Sequence, residues 1–554
     1  MQNLPLGLQT LALIRQNQCV YIDKTPWVHK LTQIPGRYFL SRPRRFGKSL
    51  FVDTLKELYE GNESLFQGLY IHDRWDWSRR NPVIKIDFAG SVLSSHEALQ
   101  QRLLEIINEN AERLQLAYRY NPNGKEQNQT GSITQAFGSL IHQARAHHQS
   151  HVVVLVDEYD KPILDSITRP GVARKMQEEL KSFYSVLKEQ DAHLQLVFMT
   201  GVTKFSKVSL FSGINQLKDL TLSEEFASIC GYTERDLDDS LALHLKGVDR
   251  QKMQQWYNGY GWTGSETVYN PYDVLLFISE RHTYRNYWFE TGSPSFLIRL
   301  FQKNNYFLPQ LEQLEVTEEI LDSFDPQKIN PITLLFQSGY LTIKHSFNQL
   351  QRTMYALRIP NQEVRQALND QFISAYTGQA NERGRMQYDL YEHLNNGAIE
   401  LLVEAIKRLF AGVPWRNFTQ NRLAHFEGYY ASVLYAYFSS MNAEVIPEDI
   451  TQIGQADLTV KLGHHIYIME LKVQEQPPTA NDRTALDQLI SRNYSAKYRG
   501  IAGKRIHEIG LTFSSAQRNL VAAHWHSQPN SQPNSQPNSQ PNSQPNSQPN
   551  SQNP

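Results

Sequence analysis

Two short constellations in this 554-residue chain have the residue types for phosphate chemistry. The first is Gly47-Lys48-Ser49, followed much later by Asp157-Glu158. A glycine lets backbone N–H groups approach an anion, a lysine reaches the β and γ phosphates of a nucleotide, and a serine hydroxyl ligates Mg²⁺. A carboxylate at the end of a buried strand sits where that Mg²⁺ would be, and the next one can polarise a water. The second constellation is Asp457 with Glu470 and Lys472. Two carboxylates hold Mg²⁺ or Mn²⁺ through oxygen. The lysine orients a water or offsets negative charge developing on a phosphate.

Each constellation needs elements to position it. A phosphate loop needs a strand before it and a helix after it, so that free N–H groups face the anion. RYFLS (37–41) supplies the strand. KSLFVDTLKELYEG then puts Leu50, Phe51, Leu55 and Leu58 on one helical stripe, with Gly61 as its stop. Arg42 stands where G-x-x-x-x-G-K-[ST] has its first glycine, so the loop must follow another backbone path. Arg42, Arg44 and Arg45 then add positive charge around the anion. Alone, the loop signal is weak, and the stretch reads more readily as a basic helix N-terminus.

HVVVLV (151–156) runs into Asp157 as a fully buried parallel strand reads. LQLVFMT (194–200) ends in Thr200, a position for sensing a γ-phosphate, with Thr203 and Lys204 following; the alternative is a cap on the next turn. With PVIKIDF (82–88), these runs alternate with helical stretches and argue for a parallel sheet covered by helices.

Around the second constellation, QADLTVKLGHHIYIMELKV (455–473) reads as a hairpin turning at Gly463-His464. Glu470 and Lys472 share one strand face, Leu471 and Val473 point into the core, and pairing back brings Asp457 near Glu470. His464 and His465 fall in the turn, away from the carboxylates. Residues 482–520 carry seven Lys/Arg against three Asp/Glu, with Tyr494 and Tyr498 interleaved, a pattern that can track a phosphate backbone.

YIDKT (21–25), FLSRPRRFGKSL (39–50), LFQGLYI (65–71), PVIKIDF, VVLVDEYDKPI and the run 199–217 together resemble the predicted AAA-ATPase-like family of bacteria, over about residues 5–215. In that family RPRRFGKS is the usual form of the loop. The resemblance implies a P-loop ATPase whose sheet has an additional strand. ATP would lie on Arg44, Arg45, Gly47, Lys48, Ser49 and Thr200, Mg²⁺ on Ser49 and Asp157, and Glu158 would activate water. D-x₁₂-E-x-K resembles the PD-(D/E)XK nuclease superfamily over residues 396–515, with Ala456 where the name has proline. That resemblance implies a metal held by Glu427, Asp457 and Glu470, with Glu470 and Lys472 catalytic. Glu427 matches the acid of the superfamily's first core helix, here AHFEGYYASVLYAYF (424–438). Gln488 resembles the glutamine of the Q…Y helix of exonuclease-like members.

The whole chain has room for about three domains. The expected division is an ATPase domain over 1–212, a mostly helical middle domain over 213–395, a nuclease-like domain over 396–526, and an SQPN-repeat tail over 527–554 with nothing apolar to bury. The fold class expected is α/β multidomain. In the middle region, WYNGYGW (256–262), VYNPYDV (268–274) and NYWFETGSPSFL (286–297) read as core aromatics or as a lid. FQSGYLTIKHSFNQLQRTMYALRIPN (336–361) reads as a helix end plus a β-wing, suited to DNA contact or to reporting nucleotide state. Arg281 and Arg285 are candidate γ-phosphate contacts.

A net charge of −1 gives no global pull toward nucleic acid or membrane. Two cysteines far apart suit a reducing cytosol. No run of 18 apolar residues appears, and the start lacks the charged n-region of a signal peptide. The reading is a cytoplasmic, bacterial, ATP-gated nuclease acting on DNA, with RNA and homo-oligomerisation left open. Its rival is a nucleotide-switched binding protein whose nuclease-like domain does not cut. A third reading keeps the nuclease and makes the P-loop a structural nucleotide holder.

Overall fold

The structure, a computed structural model, describes residues 2–90, 93–117, 132–204, 217–288, 308–312, 314–322, 330–379, 381–414, 426–441, 443–475 and 482–528. The repeat tail beyond 528, most of the run 199–217 and the end of NYWFETGSPSFL lie outside the described residues. The chain forms two compact units, residues 1–380 and 381–554.

The first unit is built on a five-stranded parallel sheet of β1 (Gly36–Ser41), β2 (Val83–Asp87), β3 (Val152–Asp157), β4 (Leu194–Gly201) and β5 (Lys218–Asp219). Its order is β2-β3-β4-β1-β5, so β4 is inserted as the additional strand between β1 and β3. Alternation along β4 sends neighbouring side chains to opposite layers. Phe198 meets Phe51 of helix α1 (Lys48–Tyr59), ring centroids 5.5 Å apart. Val197 and Met199 join the other layer with Leu103, Phe137 and Leu180, from α2 (His96–Arg113), α3 (Ile133–His148) and α4 (Pro170–Glu189). Phe51, Leu55 and Leu58 are buried as their spacing predicts, whereas Leu50 is half-buried. Helix α1 ends where Gly61 takes φ 77°.

A second lobe of the same unit is mostly helical. Helices α5 (Pro271–Ser279) and α8 (Gln362–Thr377) start at Asn270 and Asn361, whose side chains cap the Tyr272 and Val364 N–H groups. Between them run β6 (Glu315–Thr317), α6 (Glu318–Asp322), α7 (Pro331–Ser338), β7 (Thr342–Gln349) and β8 (Arg352–Arg358), with strand order β6-β8-β7. The described part of this path, a strand, two helices and a hairpin, carries the helix end and β-wing read from the sequence; residues 289–307 and 323–329 lie outside the described residues.

The second unit begins with α9 (Arg383–Asn395) and α10 (Ile399–Ala411). A mixed sheet follows: β9 (Glu444–Ile450), β10 (Gln455–Leu462), β11 (His465–Gln474), β12 (Arg505–Ser514) and β13 (Asn519–Gln528), ordered β13-β12-β11-β10-β9. Only β11 and β12 run parallel. Helix α11 (Glu427–Ser439), apolar all round and almost wholly buried, covers one face, with Tyr430 stacked 4.3 Å from Phe513. Helix α12 (Thr484–Ser491) covers the other. Gly510 permits that approach, because a Cβ there would collide with the Leu486 backbone nitrogen. Ser527 and Gln528, assigned by the repeat pattern to the tail, are the last residues of β13.

Candidate active sites

The phosphate loop leaves β1 at Ser41 and enters α1 at Lys48. Gly47 takes φ 93°, a conformation that suits glycine. Lys48 is buried and donates to the Arg42 and Pro43 carbonyls at 3.0 and 2.9 Å. Burial lowers its pKa, against the pull of Asp157 and Glu158. Parallel register sets Leu40 beside Thr200 and Val156 beside Met199, so Ser49, Asp157 and Thr200 gather at one edge. The Ser49 hydroxyl hydrogen-bonds Asp157. Burial raises the Asp157 carboxyl pKa, and neighbouring Asp87 adds to the shift.

The Asp157 Oδ2 and Thr200 Oγ1 atoms are buried without a hydrogen-bond partner. An orphaned carboxylate oxygen beside a serine hydroxyl is the donor chemistry Mg²⁺ takes. Glu158 follows at φ 51°, half-buried, its pKa raised by burial and opposed by Lys48 and Arg44.

The three arginines separate. Arg44 is exposed on the Glu158 side. Arg42 is 1% exposed. It donates to the carbonyls of Ser41, Thr221 and Phe226 and stacks 4.0 Å over Trp262. It is therefore structural and does not add charge around the anion as its place in the loop suggests. Its burial lowers the pKa to about 10, which leaves it charged at neutral pH. Arg45, at φ 69°, stacks 3.9 Å over Tyr272 and donates to the Tyr287 carbonyl at 3.3 Å. Its guanidinium has protein partners in the second lobe. It also lowers the carboxyl pKa values of Asp273 and Glu363, which burial pushes up.

Thr203 and Lys204 take structural parts. Thr203 donates through N and Oγ1 to buried Asp160, each at 2.6 Å, and Lys204 forms an ion pair with Asp219. Arg285 pairs with Glu280 at 3.4 Å, and Arg281 follows α5 in left-handed conformation. Asp160, Asp273 and Glu363 carry no warning in the sequence. Asp273 and Glu363 read as ordinary first-turn dipole partners and Asp160 as a loop acid after β3, and the burial of all three is set by distant segments.

In the second unit the hairpin forms as expected. Leu458 pairs with Met469, which continues to Asp457 opposite Glu470. Asp457 Oδ2 accepts from the Leu471 N–H at 2.6 Å. Lys472 Nζ lies 2.8 Å from Glu470 Oε1, and the Gln488 amide donates to the same oxygen. Glu470 is 2% exposed, and its Oε2 has no partner. Burial, then Asp457, pushes its pKa up to about 7. Burial also raises Asp457 and Glu427, both countered by Lys472. Glu427, at the start of α11, accepts a hydrogen bond from the Val473 N–H. Lys472 itself is raised: burial disfavours its charge, but Glu470, Glu427 and Asp457 outweigh that.

An open groove beside these groups is lined by Asp457, Glu470, Thr484, Gln488, Arg492 and Tyr494. Among the described residues no three His, Cys, Asp or Glu side chains are already gathered to hold a metal. The oxygen donors and the orphaned Oε2 fit a hard cation such as Mg²⁺ or Mn²⁺. In their present arrangement the cation on Glu470 is the Lys472 ammonium.

Two expectations here are corrected. Tyr494 and Tyr498 are buried with Leu486, Leu489 and Ile506, so they do not offer rings to bases. Several basic groups are tied to the protein: Lys497 pairs with Asp449 at 2.5 Å, and Arg492 donates to the Ile453 carbonyl at 3.1 Å. His464 and His465 lie at the other end of β11 from Glu470, His465 Nδ1 facing His507 Nε2 at 2.9 Å.

Residues 5–211 match the model of a family described as predicted AAA-ATPase, and residues 425–523 match that of the PD-(D/E)XK nuclease superfamily. The chain is 44% identical over 525 residues to an "uncharacterized protein in vnfD 5'region" of Azotobacter chroococcum mcd 1. The alignment spans 94% of this chain and 98% of that relative.

Proposed function

For a chain that belongs to the predicted AAA-ATPase-like family and carries a PD-(D/E)XK nuclease superfamily domain, we propose an ATP-gated, metal-dependent nuclease acting on DNA. The observation that carries this reading is the Glu470 carboxylate: buried, one oxygen held by Lys472 and Gln488, the other unpartnered beside Asp457.

In the ATPase, Lys48 would exchange two main-chain carbonyls for phosphate oxygens, Ser49 and Asp157 would hold Mg²⁺, and Glu158 would polarise the attacking water. Thr200 and Arg44 complete the surroundings of the γ-phosphate. In the nuclease, Asp457, Glu470 and Glu427 would hold Mg²⁺ or Mn²⁺, which would supply a water of lowered pKa and stabilise phosphate charge. Lys472, now on Glu470, would be free to meet phosphate charge once a metal took its place, and Gln488 would fix the carboxylate plane. The setting is the cytoplasm.

The rival, a binding protein switched by nucleotide, draws on the carboxylates not being gathered and on Lys472 neutralising Glu470. Scission of circular and linear DNA with Mg²⁺ or Mn²⁺, with and without ATP, separates the two. Cutting by the wild type that disappears in Lys472→Ala supports the nuclease, and ATP dependence supports gating. Absence of cutting on DNA and on RNA leaves the binding protein.

A further inference from the structure

The helices and hairpin of the second lobe raise the question of which part meets a partner. In a DNA-binding helix-turn-helix the second helix enters the major groove. Its counterpart here, α7, has no exposed residue. Gln337 accepts from the Lys204 N–H at 3.1 Å and donates to the Leu321 carbonyl at 2.9 Å. Gly339, just after the helix, packs so close to Pro43 of the phosphate loop that an added Cβ would lie 3.0 Å from the proline ring. The helix is committed to the ATPase.

The β7–β8 hairpin is the reverse. From Lys344 to Thr353 every residue is exposed except half-buried Phe347. Over 342–358 it carries Lys344, Arg352 and Arg358 and no acid. Glu315 of β6 and Glu318 and Glu319 of α6 lie on the far side of the sheet from β7, while exposed Glu266 belongs to the segment whose Gly264 packs on His345 of β7. Gln349 pairs with Arg352, leaving a two-residue tip in which Leu350 takes φ 49° and Gln351 φ 61°. Such a turn favours Asn-Gly, because other residues hold left-handed conformations at a cost. Leu350 is 91% exposed, so nothing within this fold repays its position.

We propose that this hairpin is a contact for duplex DNA. Lys344 and Arg352 meet phosphates, and Leu350 is the apolar probe at the groove, as exposed aliphatic side chains are in groove-wedging proteins. The choice of DNA rests on the function proposed above, but the contact does not require scission.

The test is anisotropy of a labelled DNA duplex titrated with the full chain in EDTA, where no cutting occurs, across a salt series. Lys344→Glu with Arg352→Glu is expected to weaken binding on the order of tenfold or more. The salt slope should fall by about two. Leu350→Gly, which relieves the turn, is expected to weaken binding by about threefold while leaving the fold intact. Wild-type affinity and salt slope in the double variant would overturn the proposal. So would no binding by the wild type at low salt, or a double variant that loses only self-association in sedimentation.

Lys472→Ala keeps the two ideas apart. It should fail to cut, and adding Lys344→Glu with Arg352→Glu to it should still weaken its DNA binding. A wild type that never cuts yet binds through the hairpin defeats the nuclease and leaves the hairpin contact standing.

Discussion

Lys48 and Lys472 occupy similar places in their centres, one ammonium each beside carboxylates, yet they rest on different oxygens. Lys48 sits on two neutral main-chain carbonyls, and the Asp157 Oδ2 beyond it stays unpartnered. Lys472 sits on Glu470 itself. An incoming phosphate needs only to outbid neutral dipoles for Lys48, a trade that a doubly charged anion wins. A metal arriving at Glu470 must compete with a cation already there and with a proton, since the carboxyl pKa is near 7. Under the function proposed, the first centre is free to take a phosphate and the second is held closed by its own lysine.

The largest effect tests the first half of that comparison. Lys48→Ala should weaken ATP binding on the order of a hundredfold, about 3 kcal/mol of charge-assisted hydrogen bonding. The fold should survive, because the two released carbonyls can turn to water. Calorimetric titration with ATP and Mg²⁺ measures the loss, and affinity within a factor of three of wild type would sink the role given to Lys48.

Next comes Arg42, the residue that makes the loop unusual. Arg42→Ala would leave three carbonyls and the Trp262 face without their cation. Losses of this kind cost about 3 kcal/mol or more. The variant should unfold at lower denaturant with its slope m unchanged. Arg42→Lys should recover only part, since an ammonium cannot reach three carbonyls in the guanidinium's plane. A variant as stable as wild type that fails only in ATP binding would return Arg42 to the nucleotide, where the loop pattern first put it.

That reversal shows what can be read from sequence here. β1, β3, β4 and α1 are legible because each is a run of apolar residues with one period, and the hairpin of β10 and β11 is legible because polar and apolar residues alternate. Asp457, Glu470 and Lys472 could be paired in advance, since strand register brings them together, whereas Gln488 and Ser49 stand on helices and are placed by the family resemblance. Arg42 could not. Two of its carbonyl partners belong to Thr221 and Phe226, far along the chain, and an arginine run reads as solvated. Strand β9 was hidden by Pro447 and its acids, which an edge strand tolerates and a central one would not. Tyr494 and Tyr498 read as a nucleic-acid surface because period alone does not say which face of a segment the core takes.

A smaller effect sharpens the second half of the comparison. Burial lifts Glu470 from its ordinary 4.5 to about 7, and Asp457 and Glu427 shift the same way. The folded state therefore holds its proton longer than the unfolded chain. This group's contribution to stability is complete below about 4.5 and is lost as pH rises through about 7. A divalent cation favours the ionised form and acts oppositely. Stabilisation by Mg²⁺ should thus be slight at pH 6 and grow to a few degrees in melting temperature by pH 8. Glu470→Gln should lose the Mg²⁺ response and melt higher than wild type at pH 8 in EDTA. A Mg²⁺ shift of equal size at both pH values would mean that the proton on Glu470 does not guard the site.

The smallest effect concerns a second buried carboxyl, one that no proposed phosphate step uses. Glu363 accepts from the Tyr287 and Trp288 N–H groups at 2.6 and 2.9 Å, and burial raises its pKa to about 7. Asp273 beside it is raised further by burial and by Glu363, while Arg45 of the phosphate loop eases both. Like charges this close share one proton at neutral pH. Glu363→Gln keeps both acceptor bonds through its carbonyl and offers its amide to Asp273 in place of the shared proton. Melting temperature at pH 6 should move by only about two degrees. Its decline between pH 6 and 8 should become shallower, because one raised carboxyl no longer titrates. ATP hydrolysis should change by less than about threefold, since the pair acts on Arg45 and not on Lys48 or Glu158. A loss as large as that of Lys48→Ala would place Arg45 on the nucleotide during turnover. The ATP centre would then also be guarded by carboxylates, and the contrast between the two lysines would fail.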